Sequence, residues 1–390
     1  MTHISDRLLR VSPGGDDGWS IHHRARALQS EGHRIIDLTV GDHDIRTDPA
    51  ILSAMQQAAI GGNTGYVALA GLTPLRTAIA ARVQARTGVP TTAANVLVTT
   101  GGQAALFLAI MGTLDAGETV LYPDPYYATY PGTVRAAEAV PVAVPTAPET
   151  GFQPSRAMLD AAGPARALLI NSPNNPTGAI YSAATLRDIA AFVRDRDLWL
   201  ISDEVYDTQV WEGTHLSPRA LPDMSDRTLV IGSLSKSHAM TGSRLGWLVG
   251  PEDAIAAMVT LVTHTTYGVP GFIQDAAIFA LAQGDAFETA VSAPFRARRD
   301  ACLARIATQQ TVGVVPSGGG MYLMLDIRAT GLSAPEFAAR LLDRHGIAVM
   351  PGNSFGDAAA GHLRVALTRP EAALLPALDT IIATAQELTR

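Results

Sequence analysis

The sequence predicts an α/β fold in which a mostly parallel sheet is covered by helices on both faces, giving three α/β/α layers. Short apolar runs rich in β-branched residues predict the strands, namely NVLVTT, ETVLYP, ALLINSP, LWLISDE and TLVIGSL. Alanine-rich helical patterns such as LRTAIAARVQAR and AATLRDIAAFVRDR lie between them. This alternation of strand and helix is typical of such sheets. Because ligands bind beyond the carboxyl ends of parallel strands, we expect the functional site there.

The length of 390 residues predicts two or three structural units, at roughly 150 residues per domain. A large unit is expected over residues 45–285, which contain all five strand patterns. The segment PFRARRDACLARIATQQ then begins a long helix, and GMYLMLDI, GIAVMPG and GHLRVAL indicate strands of a small α+β unit. Residues 1–44, including the amphipathic stretch WSIHHRARALQSEG, are expected to pack with residues 286–390 in that small unit.

Composition and charge exclude several classes of protein. A hydrophobic fraction of 47% and a charged fraction of 17% are typical of a globular chain. The net charge of −7 gives no basic face for nucleic acid or an anionic membrane. The single cysteine, Cys302, cannot form an internal disulfide, which fits a reducing cytoplasm. No signal peptide, membrane span or histidine-rich metal motif is found, so we expect a soluble cytoplasmic protein without a metal.

Lys236 is the only lysine in the chain, and the other 28 basic residues are arginines. Arginine replaces lysine as a charge, but only lysine supplies a side-chain primary amine that reacts with a carbonyl. Lys236 also follows the apolar strand TLVIG, at a carboxyl end where sites form, and precedes the glycine-containing segment GSRLGW. The alternative is a surface lysine that survives by chance. The position favours a lysine kept for its amine.

Pyridoxal phosphate is the obvious carbonyl partner for such an amine, and it requires several further groups. Asp203 ends the strand LWLISD and would pair with the pyridine nitrogen, although a solvated turn aspartate is the alternative. Asn175, in NSPNNPTG, and Tyr206 can donate to the phenolic oxygen. Tyr127, in PDPYYATYP, can cover the ring face or simply pack in the core.

The cofactor phosphate needs hydrogen-bond donors and a cation. The segment VTTGGQAAL runs from a strand into a helix, so the amides of Gly102 and Gln103 would point at an anion with the help of the helix dipole. Glycine-rich turns of this kind are also common without a ligand. Further donors flank the lysine at Ser233, Ser235 and Arg244.

Arg364 is the candidate for binding a substrate carboxylate. In the strand GHLRVAL, Leu363 and Val365 face one side and Arg364 faces the other. A guanidinium there can bind a carboxylate in bidentate fashion, through two parallel hydrogen bonds. The alternative is an ordinary exposed arginine on a strand.

Together these motifs resemble the class I and II aminotransferases that have the aspartate aminotransferase fold, pyridoxal-phosphate fold type I. The resemblance covers nearly the whole chain, through LTVGDHD, GYVALAGLTPLRTAIA, VTTGGQAAL, PDPYYATYP, NSPNNPTG, SDEVY, SLSKSHAMTGSRLGW, PSGGGMYLMLDI and LRVAL. Spacings of 28 residues from Asn175 to Asp203 and 33 from Asp203 to Lys236 make it specific. It implies a pyridoxal-phosphate-dependent aminotransferase that works as a homodimer with shared sites.

The resemblance also implies a role for individual residues. Lys236 would bond to the cofactor and carry the proton, and Asp203 would hold the pyridine nitrogen. Tyr206 would belong with them to the catalytic residues. Arg364 would bind the substrate α-carboxylate with Asn175 and the Gly41 backbone, and Tyr66 would reach the phosphate of the neighbouring subunit. The remaining cofactor contacts implied are those of Gly102, Gln103, Tyr127, Asn175, Tyr206, Ser233, Ser235 and Arg244.

Within this family, the segments WSIHHRA, SLSKSHAMTG, YGVPGFIQDAA and DIRATGLSAPEFAARLLDRHG resemble arginine–pyruvate aminotransferases. The cationic side chain of an arginine substrate would need an acidic residue in the pocket, and none is evident. Such a residue is expected in the loop YGVPGFIQ, where Gly271 stands instead. In GDHDIRTDP, His43 stands where the commoner pattern has proline, and Ile45 also departs from it. Ser243 replaces a frequent tryptophan.

Three alternative functions remain open at this stage. A β-lyase or decarboxylase would use the same cofactor and fold, and a regulatory protein would sense the cofactor without catalysis. A transaminase of broad or neutral specificity is the alternative to arginine preference.

Overall fold

The structure is a computed structural model that describes residues 3–13 and 18–389. Residues 1–2, 14–17 and 390, assigned above to the small unit, lie outside the described residues. The strands are β1 Ile36–Asp37, β2 Val96–Thr99, β3 Thr119–Asp124, β4 Val140–Pro145, β5 Ala167–Asn171, β6 Trp199–Asp203, β7 Thr228–Ser233, β8 Gly246–Val249, β9 Gly313–Val314, β10 Tyr322–Asp326, β11 Ile347–Ala348, β12 Met350–Pro351 and β13 His362–Ala366.

The helices include every helical pattern identified in the sequence. They are α1 Asp6–Val11, α2 Ser20–Ser30, α3 Pro49–Ile60, α4 Thr73–Thr87, α5 Gly102–Thr113, α6 Tyr130–Ala136, α7 Arg156–Ala161, α8 Ala183–Asp195, α9 Leu234–Ser237, α10 Glu252–Thr263, α11 Gly271–Leu281, α12 Gly284–Ile306, α13 Ala334–His345 and α14 Glu371–Leu388. In the part of the chain that the structure describes, no helix is long and apolar enough to cross a bilayer.

A seven-stranded sheet forms the centre of the molecule, in the order β2-β8-β7-β6-β5-β3-β4. Strand β8 runs antiparallel to both of its neighbours, and the remaining pairs are parallel. The α/β prediction is therefore confirmed. Strands β4 and β8 were not predicted from the sequence. Strand β4 contains Pro141 and Pro145 and lies at the sheet edge, where the missing N–H groups are tolerated.

Both faces of this sheet are covered, as the alternation of side chains shows. Leu97, Leu169 and Ile201 pack on one face with residues of α5, α6 and α10. On the other face, Val98 packs with residues of α4 and α11, and Leu168 packs with residues of α7 and α8. These are the three layers expected from the strand and helix patterns.

A smaller antiparallel sheet, β12-β13-β10-β9, is built from the C-terminal part of the chain. Its core includes Phe337 and Leu341 of α13, and Ile21 and Ala25 of α2 belong to the same cluster. Helix α12 begins at Gly284, ten residues before the pattern that indicated it, and continues through Pro294. The domain boundaries at 45 and 285 stay a prediction.

The register of the large sheet aligns the ends of its parallel strands. Asn171 pairs with Asp203 across β5 and β6, and Asp203 pairs with Ile231 across β6 and β7. Strand β7 continues for two residues to Ser233, after which α9 carries Lys236. The polar residues singled out in the sequence therefore converge at one edge.

Candidate active site

A cavity of about 460 Å³ opens at this edge of the sheet. Every residue of the predicted site except Tyr66 lines it, namely Gly41, Gly102, Gln103, Tyr127, Asn175, Asp203, Tyr206, Ser233, Ser235, Lys236, Arg244 and Arg364. Residues that the sequence analysis missed also line it, among them Trp19, Asp42, Asn171, Thr241 and Tyr322.

Lys236 enters the cavity from the short helix α9. The Ser233 side chain caps this helix by accepting from the Ser235 amide at 3.0 Å. Lys236 is half-buried, and its Nζ donates to the carbonyl oxygen of Gly41. A Cβ atom on Gly41 would overlap the hydroxyl of Tyr322, so only glycine brings this carbonyl so close.

Asp203 is buried beneath the cavity at the end of β6. The Tyr130 hydroxyl donates to its Oδ2 at 2.7 Å, and the Val205 amide donates to its Oδ1 at 3.3 Å. Burial raises the pKa of Asp203 to about 6, because no cation in the described part of the chain pairs with the carboxylate to offset the desolvation. Tyr130 lies three residues after Tyr127 in the motif PDPYYATYP, but its partner is 73 residues away, so the sequence alone does not reveal the contact.

Arg364 is fully buried, so the alternative of an exposed strand arginine is wrong. Its guanidinium lies between the rings of Tyr322 and Phe355, at 4.4 and 4.3 Å from their centroids. It donates to Asn175 Oδ1 at 2.9 Å and to the carbonyl of Thr39. No ion pair with a carboxylate is found for it among the described residues, and burial lowers its pKa. A buried guanidinium without an anion is costly, so the site suits an anionic ligand.

Tyr206 and Tyr127 form the aromatic walls of the cavity. The hydroxyl of Tyr206 is 3.1 Å from that of Tyr322, and burial raises the pKa of Tyr206 well above its usual value. Tyr127 is half-buried, its ring lies edge-on to Tyr130 with centroids 5.7 Å apart, and burial raises its pKa to about 12. Both phenols therefore remain neutral donors at physiological pH.

The opposite end of the cavity is suited to an anion. Helix α5 starts at Gly102, after Gly101 with a φ of 86°, a conformation that favours glycine. The side-chain amide of Gln103 is hydrogen-bonded to Thr129 and Thr133, so only the backbone N–H of Gln103 is available to a ligand. Arg244 is exposed and donates to the Thr241 carbonyl at 2.8 Å. Helix amides, hydroxyls and a guanidinium together form an anion site.

Two predicted positions do not line the cavity. Tyr66 is 90% exposed and packs edge-on against Tyr267, with ring centroids 5.1 Å apart. Its predicted contact with a neighbouring subunit stays a prediction. Gly271 lies at the first position of α11 rather than within a loop, and a Cβ there would overlap the side chain of Asn63. Because Gly271 does not line the cavity, the lack of an acid at this position says nothing about how the cavity would bind a cationic side chain.

Comparisons with known proteins decide the family. The family model described as aminotransferase class I and II matches residues 33–381. The chain belongs to this family. It is an aminotransferase, as the sequence analysis predicted, and the family uses pyridoxal phosphate.

Individual relatives resemble the aminotransferase over almost its whole length. The arginine–pyruvate transaminase of Pseudomonas aeruginosa is 41% identical over 386 residues, covering 98% of each chain. The aspartate/prephenate aminotransferase of Thermus thermophilus is 35% identical, covering 97% of this chain and 98% of the relative. The solved structure of Thermus thermophilus aspartate aminotransferase with maleate is similar with a TM-score of 0.92 and 33% identity, covering 99% and 100%.

The residues of the aminotransferase cavity fit pyridoxal phosphate. Asp203 is a buried carboxylate with no cationic partner in residues 3–13 and 18–389, and a protonated pyridine would supply that cation. The α5 terminus with Ser233, Ser235 and Arg244 matches the phosphate in charge and in donors. The Asn175 amide has its oxygen occupied by Arg364, which leaves its nitrogen to donate to the phenolic oxygen.

We expect Asp203 to destabilise the cofactor-free aminotransferase at neutral pH. Its folded-state pKa of about 6 exceeds the usual 3.8, so the stabilisation by its proton is present below pH 4 and lost as pH rises to 6. The loss amounts to about 3 kcal/mol in the free energy of unfolding. Urea titrations of wild type and Asp203→Asn between pH 4 and 8 measure it, and the wild type should lose about 3 kcal/mol more than the variant over this range.

Asp124 provides the matched control, because burial also raises its pKa to about 6 outside the cavity lining. Pyridoxal phosphate should relieve the penalty of Asp203 and leave the effect of Asp124→Asn unchanged. Parallel stability curves for wild type and Asp203→Asn would contradict the interpretation.

Proposed function

We propose that this aminotransferase binds pyridoxal phosphate at Lys236 and moves the α-amino group of an L-amino acid to a 2-oxo acid in two half-reactions. The observation that carries the proposal is the placement of the only lysine. Lys236 lines the same cavity as the buried guanidinium of Arg364, the buried carboxylate of Asp203 and the anion site at α5, and its amine is held at the Gly41 carbonyl. This arrangement offers a separate group to each charged part of cofactor and substrate.

Arg364 orients the substrate. Stacked between Tyr322 and Phe355 and bonded to Asn175, its guanidinium has one fixed direction, and its Nε atom is buried without a partner among the described residues. A substrate α-carboxylate satisfies this charge with paired hydrogen bonds. The substrate is thereby held with its α-carbon toward Lys236.

Lys236 moves the proton. Its amine rests on the Gly41 carbonyl, a neutral acceptor that it can leave without stranding a buried charge. From there it would remove the proton from the substrate α-carbon and later deliver a proton to the cofactor carbon on the other side of the shared nitrogen. The bound cofactor supplies an electron sink for the charge left on the α-carbon. Asp203, held by Tyr130, keeps a proton at the pyridine nitrogen and so maintains that sink.

We further propose L-arginine as the amino donor and pyruvate as an acceptor. The transaminase from Pseudomonas aeruginosa named for these substrates supports this choice. The cavity also supplies the acid missing from the sequence analysis, because Asp42 lines it and is exposed. Its Oδ1 accepts from Thr241 at 2.8 Å, and among the described residues it forms no ion pair. Asp42 is therefore available to a cationic side chain.

A half-reaction tests the function. Purified protein loaded with pyridoxal phosphate and mixed with L-arginine alone should convert the cofactor to pyridoxamine phosphate, followed by absorbance and by analysis of the released cofactor. Lys236→Ala should show no conversion, because no other side chain supplies a primary amine to move the proton.

The outcomes separate the alternatives. Conversion with aspartate but not arginine would contradict the arginine proposal and leave the aminotransferase assignment intact. Loss of the amino acid with the cofactor unchanged would indicate a β-lyase or decarboxylase instead.

Arg364→Gln should raise KM for the amino acid about 100-fold, since a charged pair buried in the substrate complex is lost. Steady-state kinetics measure this, with kcat changed far less than KM. Arg219→Gln is the matched control, because Arg219 is also buried and donates to Thr91 without lining the cavity. The control should lose stability and keep its KM. An unchanged KM in Arg364→Gln would contradict the role of Arg364.

A homodimer in the cytoplasm is part of the same proposal. The exposed pair Tyr66 and Tyr267 supports it, since exposed apolar surface often marks a protein interface. Sedimentation equilibrium should give twice the chain mass of 40.9 kDa, and Tyr66→Glu should shift the protein toward monomer. A monomeric wild type would contradict the shared site.

A further inference from the structure

The segment of residues 41–47 is hydrogen-bonded to the turn that carries Lys236. Besides the bond from the Lys236 amine to the Gly41 carbonyl, the Thr47 hydroxyl donates to the Ala239 carbonyl at 2.6 Å. The Thr241 hydroxyl donates to Asp42 at 2.8 Å. A further bond joins His43 to the backbone of Lys236 itself, with His43 Nε2 3.0 Å from the Lys236 carbonyl oxygen.

The Lys236 carbonyl needs this outside donor. Helix α9 is four residues long, and the last carbonyls of a helix have no partner within it. The His238 amide bonds back to Leu234, which leaves the carbonyl of Lys236 to the ring of His43. A carbonyl only accepts, so Nε2 of His43 carries the hydrogen and Nδ1 carries a lone pair. That Nδ1 atom is buried and has no partner among the described residues.

The surroundings keep the His43 ring neutral and oriented. It packs edge-on against Phe295, with ring centroids 5.1 Å apart. Burial, followed by the charge of Lys236, lowers the pKa of His43 to about 4 despite the nearby carboxylates of Asp42 and Asp44. Asp44 is itself paired with Arg298 at 2.8 Å. The donor is therefore present throughout the neutral range.

We propose that His43 is a positioning residue that fixes the backbone of Lys236 while the lysine side chain moves. The amine must leave the Gly41 carbonyl to transfer a proton, so the backbone of Lys236 has to be fixed by an interaction that does not involve the amine. The hydrogen bond from His43 to the Lys236 carbonyl is such an interaction. Proline, which the commoner pattern of the family has at this position, offers no such donor. The proposal rests on the proposed role of Lys236.

The single lysine makes a direct test possible in the cofactor-free protein. A trace amount of acetic anhydride at one fixed pH acetylates amines, of which the chain has only Lys236 and the α-amino group, and mass spectrometry of the Lys236 peptide gives the rate. His43→Leu removes the donor at similar size and should speed labelling about five-fold, the population change expected from the loss of one hydrogen bond. His43→Gln keeps an N–H donor and should restore the wild-type rate.

Thr47→Val is the matched control, because it removes a bond between the same two segments without touching the Lys236 carbonyl. Its labelling rate should stay near that of wild type. Equal rates in wild type and His43→Leu, or equal acceleration in Thr47→Val, would overturn the proposal, as would failure of His43→Gln to restore the rate while its Tm matches wild type. The assay needs no catalysis, so failure of the proposed function would appear separately, in the half-reaction.

Discussion

The parallel pairing of β5, β6 and β7 is the interaction on which the rest of the site depends. The register sets Asn171 beside Asp203 and brings the end of β7 two residues beyond them. A slip of one residue would turn Asp203 to the opposite face of the sheet and into an apolar layer of helices. The apolar side chains that alternate along these strands therefore fix the active-site geometry as well as the core.

Two buried charged groups have no counter-ion among the described residues, and they suit the site to a charged ligand. Asp203 has hydrogen-bond donors but no cation there, and Arg364 has acceptors and aromatic faces but no carboxylate. Each is costly in the cofactor-free protein, since desolvation opposes the charged form of both. A ligand with a cationic ring and an anionic group relieves both penalties. The protein thus gives up some stability of the free state for affinity toward a complementary ligand.

Local pattern predicted the strands at the centre of the sheet, because buried parallel strands are continuous apolar runs. Strand β8 begins with Gly246 and Trp247, which leaves only two aliphatic residues, and strand β4 contains two prolines, so neither gives that signal. Lys236 stood out because it is chemically unique in the chain. Tyr130 and Tyr322 did not, because their roles arise from contacts with residues far away in sequence. His43 was noticed only as a departure from a family pattern, and its contact with the Lys236 carbonyl needed the structure.

The most direct test of the account is the site of covalent attachment of the cofactor. The protein is incubated with pyridoxal phosphate, reduced with borohydride and digested, and the peptides are analysed by mass spectrometry. The account predicts one pyridoxyl group per chain, on the peptide that contains Lys236, and none in Lys236→Arg. A reduced adduct confined to the α-amino group, or no adduct in a folded protein, would contradict the central claim that this cavity exists to hold a carbonyl cofactor at the only lysine.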